Sequence, residues 1–200
     1  MPKLIALLAL LTAVPYWEAA EVKDWSEEQL IDFFAGSPWV QPAEAIANTG
    51  GRDGVTTFLA TAKPVQLAEL EMRRRRMQKV AGVNVIADPA WDEFREFLER
   101  DAGKYIVLAV AIPTNATLEA AEMSMMENQS VMKIGKQKVK MSGYFPPSPT
   151  DGYTRLIFPK GGAGEAKEIV FELFIPGTGM PNRMAIYSRK GMSYRGRLEM

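Results

Sequence analysis

The pattern Ser-x-x-Lys at residues 130–133 is an arrangement whose residue types and spacing suggest a reaction. In penicillin-binding proteins and β-lactamases this motif places a nucleophilic serine at the start of a helix, one turn from the lysine. Here the residues after Ser130 have the composition of a strand, which directs Ser130 and Lys133 to opposite faces. The companion motifs Ser-Asp-Asn and Lys-Thr-Gly are missing. The pattern therefore does not predict acyl transfer.

Methionine is unusually frequent, with 12 in 200 residues. Met123, Met125 and Met126 lie close together in a predicted helix, and thioether sulfurs are soft ligands suited to Cu(I). The competing interpretation is that methionine fills irregular gaps in the core. These three residues are the candidate metal ligands, and the sequence predicts no cofactor.

Residues 73–76 are four consecutive arginines. In a helix, successive residues are about 100° apart, so the four cannot form one binding stripe. Glu69 and Glu71 precede Arg73 and Arg75 by four residues, which predicts ion pairs along the helix. We expect a solvated face with ion pairs, and one arginine that extends to water or meets a buried carboxylate. The alternative is a site for an anion or a polymer.

The chain contains no histidine and no cysteine, which excludes several chemistries. The chain can form neither a Ser-His-Asp nor a Cys-His nucleophile. It also cannot form a zinc site with histidine ligands. Catalysis would have to use carboxylates, lysine or tyrosine. A hydrolase of that kind needs two acidic side chains across a cleft, roughly 5–10 Å apart, and the sequence names no such pair. The 24 basic and 24 acidic residues balance, which argues against nucleic-acid binding.

The N-terminal segment has the layout of a secretory signal peptide. Lys3 precedes an apolar run at residues 4–14, Pro15 follows, and the small residues Ala19 and Ala20 suggest cleavage near there. We therefore expect a signal peptide at residues 1–20 and a single exported domain at residues 21–200, in the periplasm or outside the cell. The run is about half the roughly 20 residues that span a bilayer, so no stable membrane anchor is expected after cleavage. The alternative is a buried N-terminal helix of the domain.

Helix signals dominate the first half of the chain and strand signals the second. Ser26 and Gln29 form a capping box, and Pro64 and Asp88-Pro89 open two further helices. Residues 41–54 read as a loop, residues 104–112 as a central strand, and residues 116–127 as a helix. Strand patterns follow at 131–134, 138–141, 153–158 and 168–175, with a final hairpin at 184–200. The predicted fold class is α+β, with helices packed on a largely antiparallel sheet and a strand-rich C-terminal half.

Three short segments carry a resemblance. Residues 24–28 (Asp-Trp-Ser-Glu-Glu), 37–39 (Ser-Pro-Trp) and 190–199 resemble the corresponding segments of a group of exported bacterial proteins. These have a signal peptide, a Trp-Ser helix start, a Ser-Pro-Trp motif and a C-terminal Tyr-x-Gly-x-Leu strand. The group has no established activity, so the resemblance implies export and a single α+β domain and transfers no site residue.

These observations favour an exported soluble domain without enzymatic activity that binds or scaffolds a protein or another partner in the cell envelope. A partner surface of this kind should form an apolar patch of several hundred Å² on the folded domain, roughly the size at which exposed patches become functional. The alternatives are copper binding through methionine and a hydrolase without histidine.

Overall fold

The computed structural model describes residues 14–46, 54–79, 87–112, 119–148 and 150–200. Its helices are α1 (Tyr16–Ala19), α2 (Glu27–Gly36), α3 (Lys63–Lys79), α4 (Pro89–Asp101) and α5 (Ala120–Gln129). Its strands are β1 (Val40–Ala45), β2 (Val55–Leu59), β3 (Tyr105–Ala111), β4 (Val131–Ile134), β5 (Gln137–Lys140), β6 (Gly143–Phe145), β7 (Tyr153–Pro159), β8 (Glu168–Phe174), β9 (Asn182–Ser188), β10 (Ser193–Tyr194) and β11 (Arg197–Leu198). The predicted α+β class with a strand-rich C-terminal half is confirmed.

Nine of these strands form one curled sheet in the order β5-β4-β8-β9-β1-β2-β3-β7-β6, with antiparallel neighbours throughout. The Phe158 ring on β7 lies 5.3 Å from the Phe171 ring on β8, although four strands separate β7 from β8 in the sheet. The sheet must therefore curl with these two rings inside. Its outermost strands, β5 and β6, are consecutive in the chain, so residues 141 and 142 connect the two edges.

The inner face of the sheet carries the main core, and part of the outer face lies under helices. Inside, Phe171 contacts Tyr187, whose hydroxyl lies 2.8 Å from the hydroxyl of Thr57. On the outer face, the Phe58 ring packs against Phe34 of α2, and Arg155 lies over the Phe94 ring of α4. Because side chains of a strand alternate between faces, β7 supplies both the core and the layer under the helices.

The helix starts follow the signals in the sequence. Ser26 Oγ accepts from the Gln29 N–H at 3.0 Å and Gln29 Oε1 accepts from the Ser26 N–H at 2.8 Å, which is the predicted capping box. Asp88 Oδ1 accepts from the Trp91 N–H at 3.1 Å, with Pro89 at the first helical position. The predicted starts of α2 and α4 are therefore confirmed.

Two predicted elements differ from the structure. Residues 40–45 form β1, a central strand, although Pro42 has no N–H to donate to the sheet. Within the predicted loop, residues 47–53 lie outside the described residues. The C-terminal residues do not form one strand of a hairpin with β9. They turn back at Arg195 and Gly196, whose φ angles of 51° and 73° allow a tight two-residue turn between β10 and β11.

Helix α1 lies within the predicted signal peptide and packs on the domain. The Tyr16 hydroxyl donates to the Gln29 carbonyl at 2.7 Å, and the Trp17 ring lies 6.3 Å from the Trp39 ring. Glu18 Oε2 accepts from the Arg195 N–H at 2.6 Å. The apolar run at residues 4–13 lies outside the described residues, and the signal peptide stays a prediction. Within the part of the chain that the structure describes, no helix has the length and apolar character needed to cross a membrane.

The segments that carry the family resemblance meet in one corner of the fold. Trp39 Nε1 donates to the Glu199 carbonyl at 2.7 Å, and its ring stacks at 5.8 Å on Phe33 of α2. Trp25 also contacts Phe33, at 5.2 Å. Trp25, Phe33 and Trp39 are buried, so the motifs shape the packing of the chain ends.

Candidate functional site

The three candidate metal ligands lie on α5 in different environments. Met126 is buried in the core, Met123 is half-buried, and Met125 is 45% exposed. The structure thus gives Met126 a packing role, and copper binding by the three residues stays a prediction. Within the described ranges, no three His, Cys, Asp or Glu side chains form a group that could hold a metal ion.

Ser130 ends α5 and directly precedes β4, the strand that contains Lys133. Ser130 Oγ is buried and accepts from the Phe174 N–H at 3.2 Å, whereas Lys133 Nζ pairs with Glu172. The lysine therefore cannot activate the serine.

The four arginines do not share one site. Arg74 and Arg75 both pair with Glu71, at 2.7 and 2.6 Å, which confirms the predicted pair of Glu71 with Arg75. The predicted pair of Glu69 with Arg73 is wrong, because Arg73 pairs with the buried Asp88 at the start of α4. The expectation that one arginine meets a buried carboxylate is thus confirmed.

Arg76 differs from the other three arginines. It is exposed and makes no hydrogen bond or ion pair with any residue that the structure describes. It lies at the edge of a cleft on the outer face of the sheet, which we call the α3 cleft. The α3 cleft has a volume of about 480 Å³ when the part that is open to solvent is included. Its lining residues come from α2, β2, α3, α4, the loop before β7, and β7: Phe34, Phe58, Glu69, Met72, Arg73, Arg76, Trp91, Thr150, Asp151 and Tyr153.

Three aromatic rings form one wall of the α3 cleft. The Phe34 and Phe58 rings are 5.3 Å apart at 70°, and the Phe58 and Tyr153 rings are 4.8 Å apart at 72°. Both pairs are edge-to-face, the arrangement that the ring quadrupoles favour. Phe58 is fully buried and anchors the other two, so this wall is preformed.

Arg155 binds the two acidic residues that line the α3 cleft. Its side chain is only 3% exposed, and its guanidinium lies 4.4 Å from the Phe94 ring centroid. One guanidinium nitrogen donates to Glu69 Oε1 at 2.6 Å, and another pairs with Asp151. Glu69 Oε2 is buried and has no hydrogen-bond partner among the described residues. An unpaired buried oxygen is costly when it carries a charge, which favours the neutral, protonated form of this carboxyl group.

Burial raises the pKa of Glu69 to about 7, although Arg155 acts to lower it. The nearby charge of Asp151 also raises the pKa. Both the protonated and the ionised form of this carboxyl group are therefore accessible near neutral pH.

Asp88 holds the opposite wall together. Its carboxylate accepts from the Ser148 hydroxyl at 2.6 Å, from the Thr150 hydroxyl, and from Arg73. Burial alone would raise its pKa, but these hydrogen bonds and that from the Trp91 N–H lower it to about 2. The guanidinium of Arg73 also lies 4.3 Å from the Trp91 ring centroid. Asp88 thus fixes the start of α4 and the loop before β7 against α3.

The two acidic side chains of the α3 cleft, Glu69 and Asp151, were not found from the sequence. They are 82 positions apart and meet only because both bind Arg155. The available signal was Arg155 itself, a charge in the middle of an apolar strand that requires buried partners.

The arrangement suits recognition better than hydrolysis. Two carboxylates of a glycosidase lie on either side of the bond that breaks, with room for the substrate between them. Here both Glu69 and Asp151 hold the same Arg155 guanidinium, so they do not lie on either side of a space for a substrate bond.

Comparison of the chain with protein-family models, with curated proteins and with solved structures finds no match. The function must therefore be argued from the α3 cleft itself.

Proposed function

We propose that this chain is a non-enzymatic binding domain of the cell envelope, exported by its N-terminal segment, and that the α3 cleft holds a small organic ligand. The observation that carries the proposal is the α3 cleft itself, which has a wall of three aromatic rings and is also lined by Glu69, a carboxyl group with one buried oxygen that has no partner among the described residues. Ligand sites are typically concave and apolar, with a few polar groups that fix orientation.

Rigid walls support this proposal. The edge-to-face rings of Phe34, Phe58 and Tyr153 stand on one side, and the hydrogen bonds to Asp88 fix the other. A site that is ordered before binding loses less conformational entropy when the ligand enters.

Export is inferred from the sequence. The apolar run at residues 4–14 follows Lys3 and precedes Pro15, which is typical of a secretory leader. The equal numbers of acidic and basic residues favour a neutral partner surface over nucleic acid.

Native mass spectrometry of the protein purified from the exported fraction of its own host tests both parts. We expect a species that is heavier than the bare chain by the mass of a small molecule. In Met72→Trp, the indole fills the α3 cleft from α3, and the extra mass should be lost. Ile31→Trp, at an exposed position of α2, is the matched control and should keep it.

Two results would contradict the proposal separately. Protein found only inside the cell at full length would overturn export. Binding in the α3 cleft would be overturned by two results together. The wild-type protein would show the mass of the bare chain, and no compound of a small-molecule library would change the melting temperature of the wild type more than that of Met72→Trp.

A further inference from the structure

We infer that the α3 cleft selects a ligand with an aromatic ring and one carboxylate, the ring lying against the aromatic wall and the carboxylate on Arg76. This inference rests on the proposed function and adds the chemical class of the ligand.

Charge pairing singles out Arg76. Around the α3 cleft, Arg73 is paired with Asp88, and Arg155 is paired with Glu69 and Asp151. Arg76 alone among these cations has no ion pair with a residue that the structure describes. A guanidinium at the edge of an apolar cleft forms two parallel hydrogen bonds with a carboxylate, which gives both strength and orientation.

The aromatic wall specifies the rest of the ligand. Tyr153 is half-buried and lines the α3 cleft beside Phe58, while Met72 lies on α3 in the same cleft. A flat ring placed there gains edge-to-face or offset contacts with the existing rings and contact with a polarisable thioether.

The carboxyl group of Glu69 completes the site. When protonated, Glu69 is neutral, and when ionised, its negative charge disfavours an anion in the α3 cleft. The charged or titratable groups that face it come from α3, from the loop before β7 and from β7: Arg73, Asp151, Tyr153 and Arg155. The pKa of Glu69, about 7, allows both forms near neutral pH. An anionic ligand should therefore bind together with a proton.

The test uses three compounds that share a ring and differ in the charge of the end group: phenylacetate, phenylacetamide and 2-phenylethylamine. Binding to the full-length protein is measured by isothermal titration calorimetry at pH 6, 7 and 8. We expect phenylacetate to bind at least tenfold more tightly than the other two at pH 6. Its affinity should fall several-fold between pH 6 and pH 8.

Two variants test the assigned residues. Arg76→Gln should weaken phenylacetate binding at least fivefold and leave phenylacetamide binding unchanged. Arg95→Gln, an exposed arginine on α4, is the control and should change neither. Glu69→Gln should abolish the dependence of phenylacetate affinity on pH, which a purely structural role of Glu69 would not affect.

Equal binding of the three compounds in the α3 cleft, or phenylacetate binding that does not change in Arg76→Gln, would overturn this inference and leave the proposed function standing. Failure of all three compounds to bind overturns the inference, and the proposed function is then judged by the native mass spectra of wild type and Met72→Trp.

Discussion

At the scale of single residues, the pKa values of two buried carboxyl groups beside the α3 cleft are shifted in opposite directions. Asp88 receives hydrogen bonds from Ser148, Thr150, Arg73 and the Trp91 N–H, and these outweigh its burial. Glu69 receives one from Arg155 and keeps one oxygen unpaired, so burial dominates. Asp88 therefore stays ionised and supports the structure, while Glu69 can change its charge near neutral pH.

The raised pKa of Glu69 predicts a pH-dependent stability. From pH 4.5, its ordinary value, to about 7, the folded state keeps a proton that the unfolded state has lost, so the free energy of unfolding falls as pH rises. The total is about 3 kcal/mol, and above pH 7 no further loss is expected. Glu69→Gln cannot titrate and should not show this loss. Urea denaturation at pH 5, 6, 7 and 8 measures the difference between the two proteins.

The exposed Glu93→Gln is the control and should parallel the wild type across the series. A constant difference between wild type and Glu69→Gln from pH 5 to 8 would show that Glu69 is already ionised at pH 5.

Asp88→Asn should reduce the free energy of unfolding at pH 7 by about 3 kcal/mol, because it leaves Arg73 without its buried partner. Asp92→Asn, an exposed position on the same helix, should change it by less than about 0.5 kcal/mol. Equal stabilities of the two variants in urea denaturation would show that Asp88 does not hold the wall together.

At the scale of elements, sequence signals succeed where the cause of a structure is local. Ser26 with Gln29 and Asp88 with Pro89 fix helix starts through contacts within four residues. They fail where the cause is distant. Strand β1 exists because β2 and β9 flank it, and Arg73 pairs with Asp88 because α4 lies beside α3. The same limit applies to the α3 cleft, whose acidic residues meet on Arg155.

Helix α1 should contribute to stability as an element. A chain starting at Glu21 loses the half-buried rings of Tyr16 and Trp17 and the contact of Glu18 with Arg195. We expect it to unfold with about 3 kcal/mol less free energy than a chain starting at Pro15. Urea denaturation of both proteins measures this difference.

Equal stabilities would mean that α1 is dispensable, and would favour cleavage of the predicted signal peptide near Ala20. The expected loss would instead favour an exported protein that retains α1.

At the scale of the whole molecule, the curl of the sheet creates two distinct faces. The inner face is filled by rings such as Phe158 and Phe171, and the outer face beneath α2, α3 and α4 holds the α3 cleft. Because Arg155 and Phe158 lie on opposite faces of β7, the same strand stabilises the core and positions the candidate site.

Contact across the curl can be measured as an energetic coupling. Phe158→Leu and Phe171→Leu should each lower the free energy of unfolding by about 1–2 kcal/mol. Since the rings touch, the loss of unfolding free energy in the double variant should be smaller than the sum of the losses in the two single variants. We expect the difference to be at least about 0.5 kcal/mol. Strict additivity in urea denaturation would contradict this closure of the sheet.

The most direct test of the α3 cleft as a binding site is an NMR titration of backbone amide signals with phenylacetate, phenylacetamide and 2-phenylethylamine in turn. We predict that at least one compound causes saturable shifts in the amides of Phe34, Arg76 and Tyr153, and that Met72→Trp abolishes them. Saturable shifts confined to the exposed face of β8 and β9 would contradict the assignment of the α3 cleft as the binding site, and no saturable shift with any of the three compounds would contradict the ligand class inferred for it.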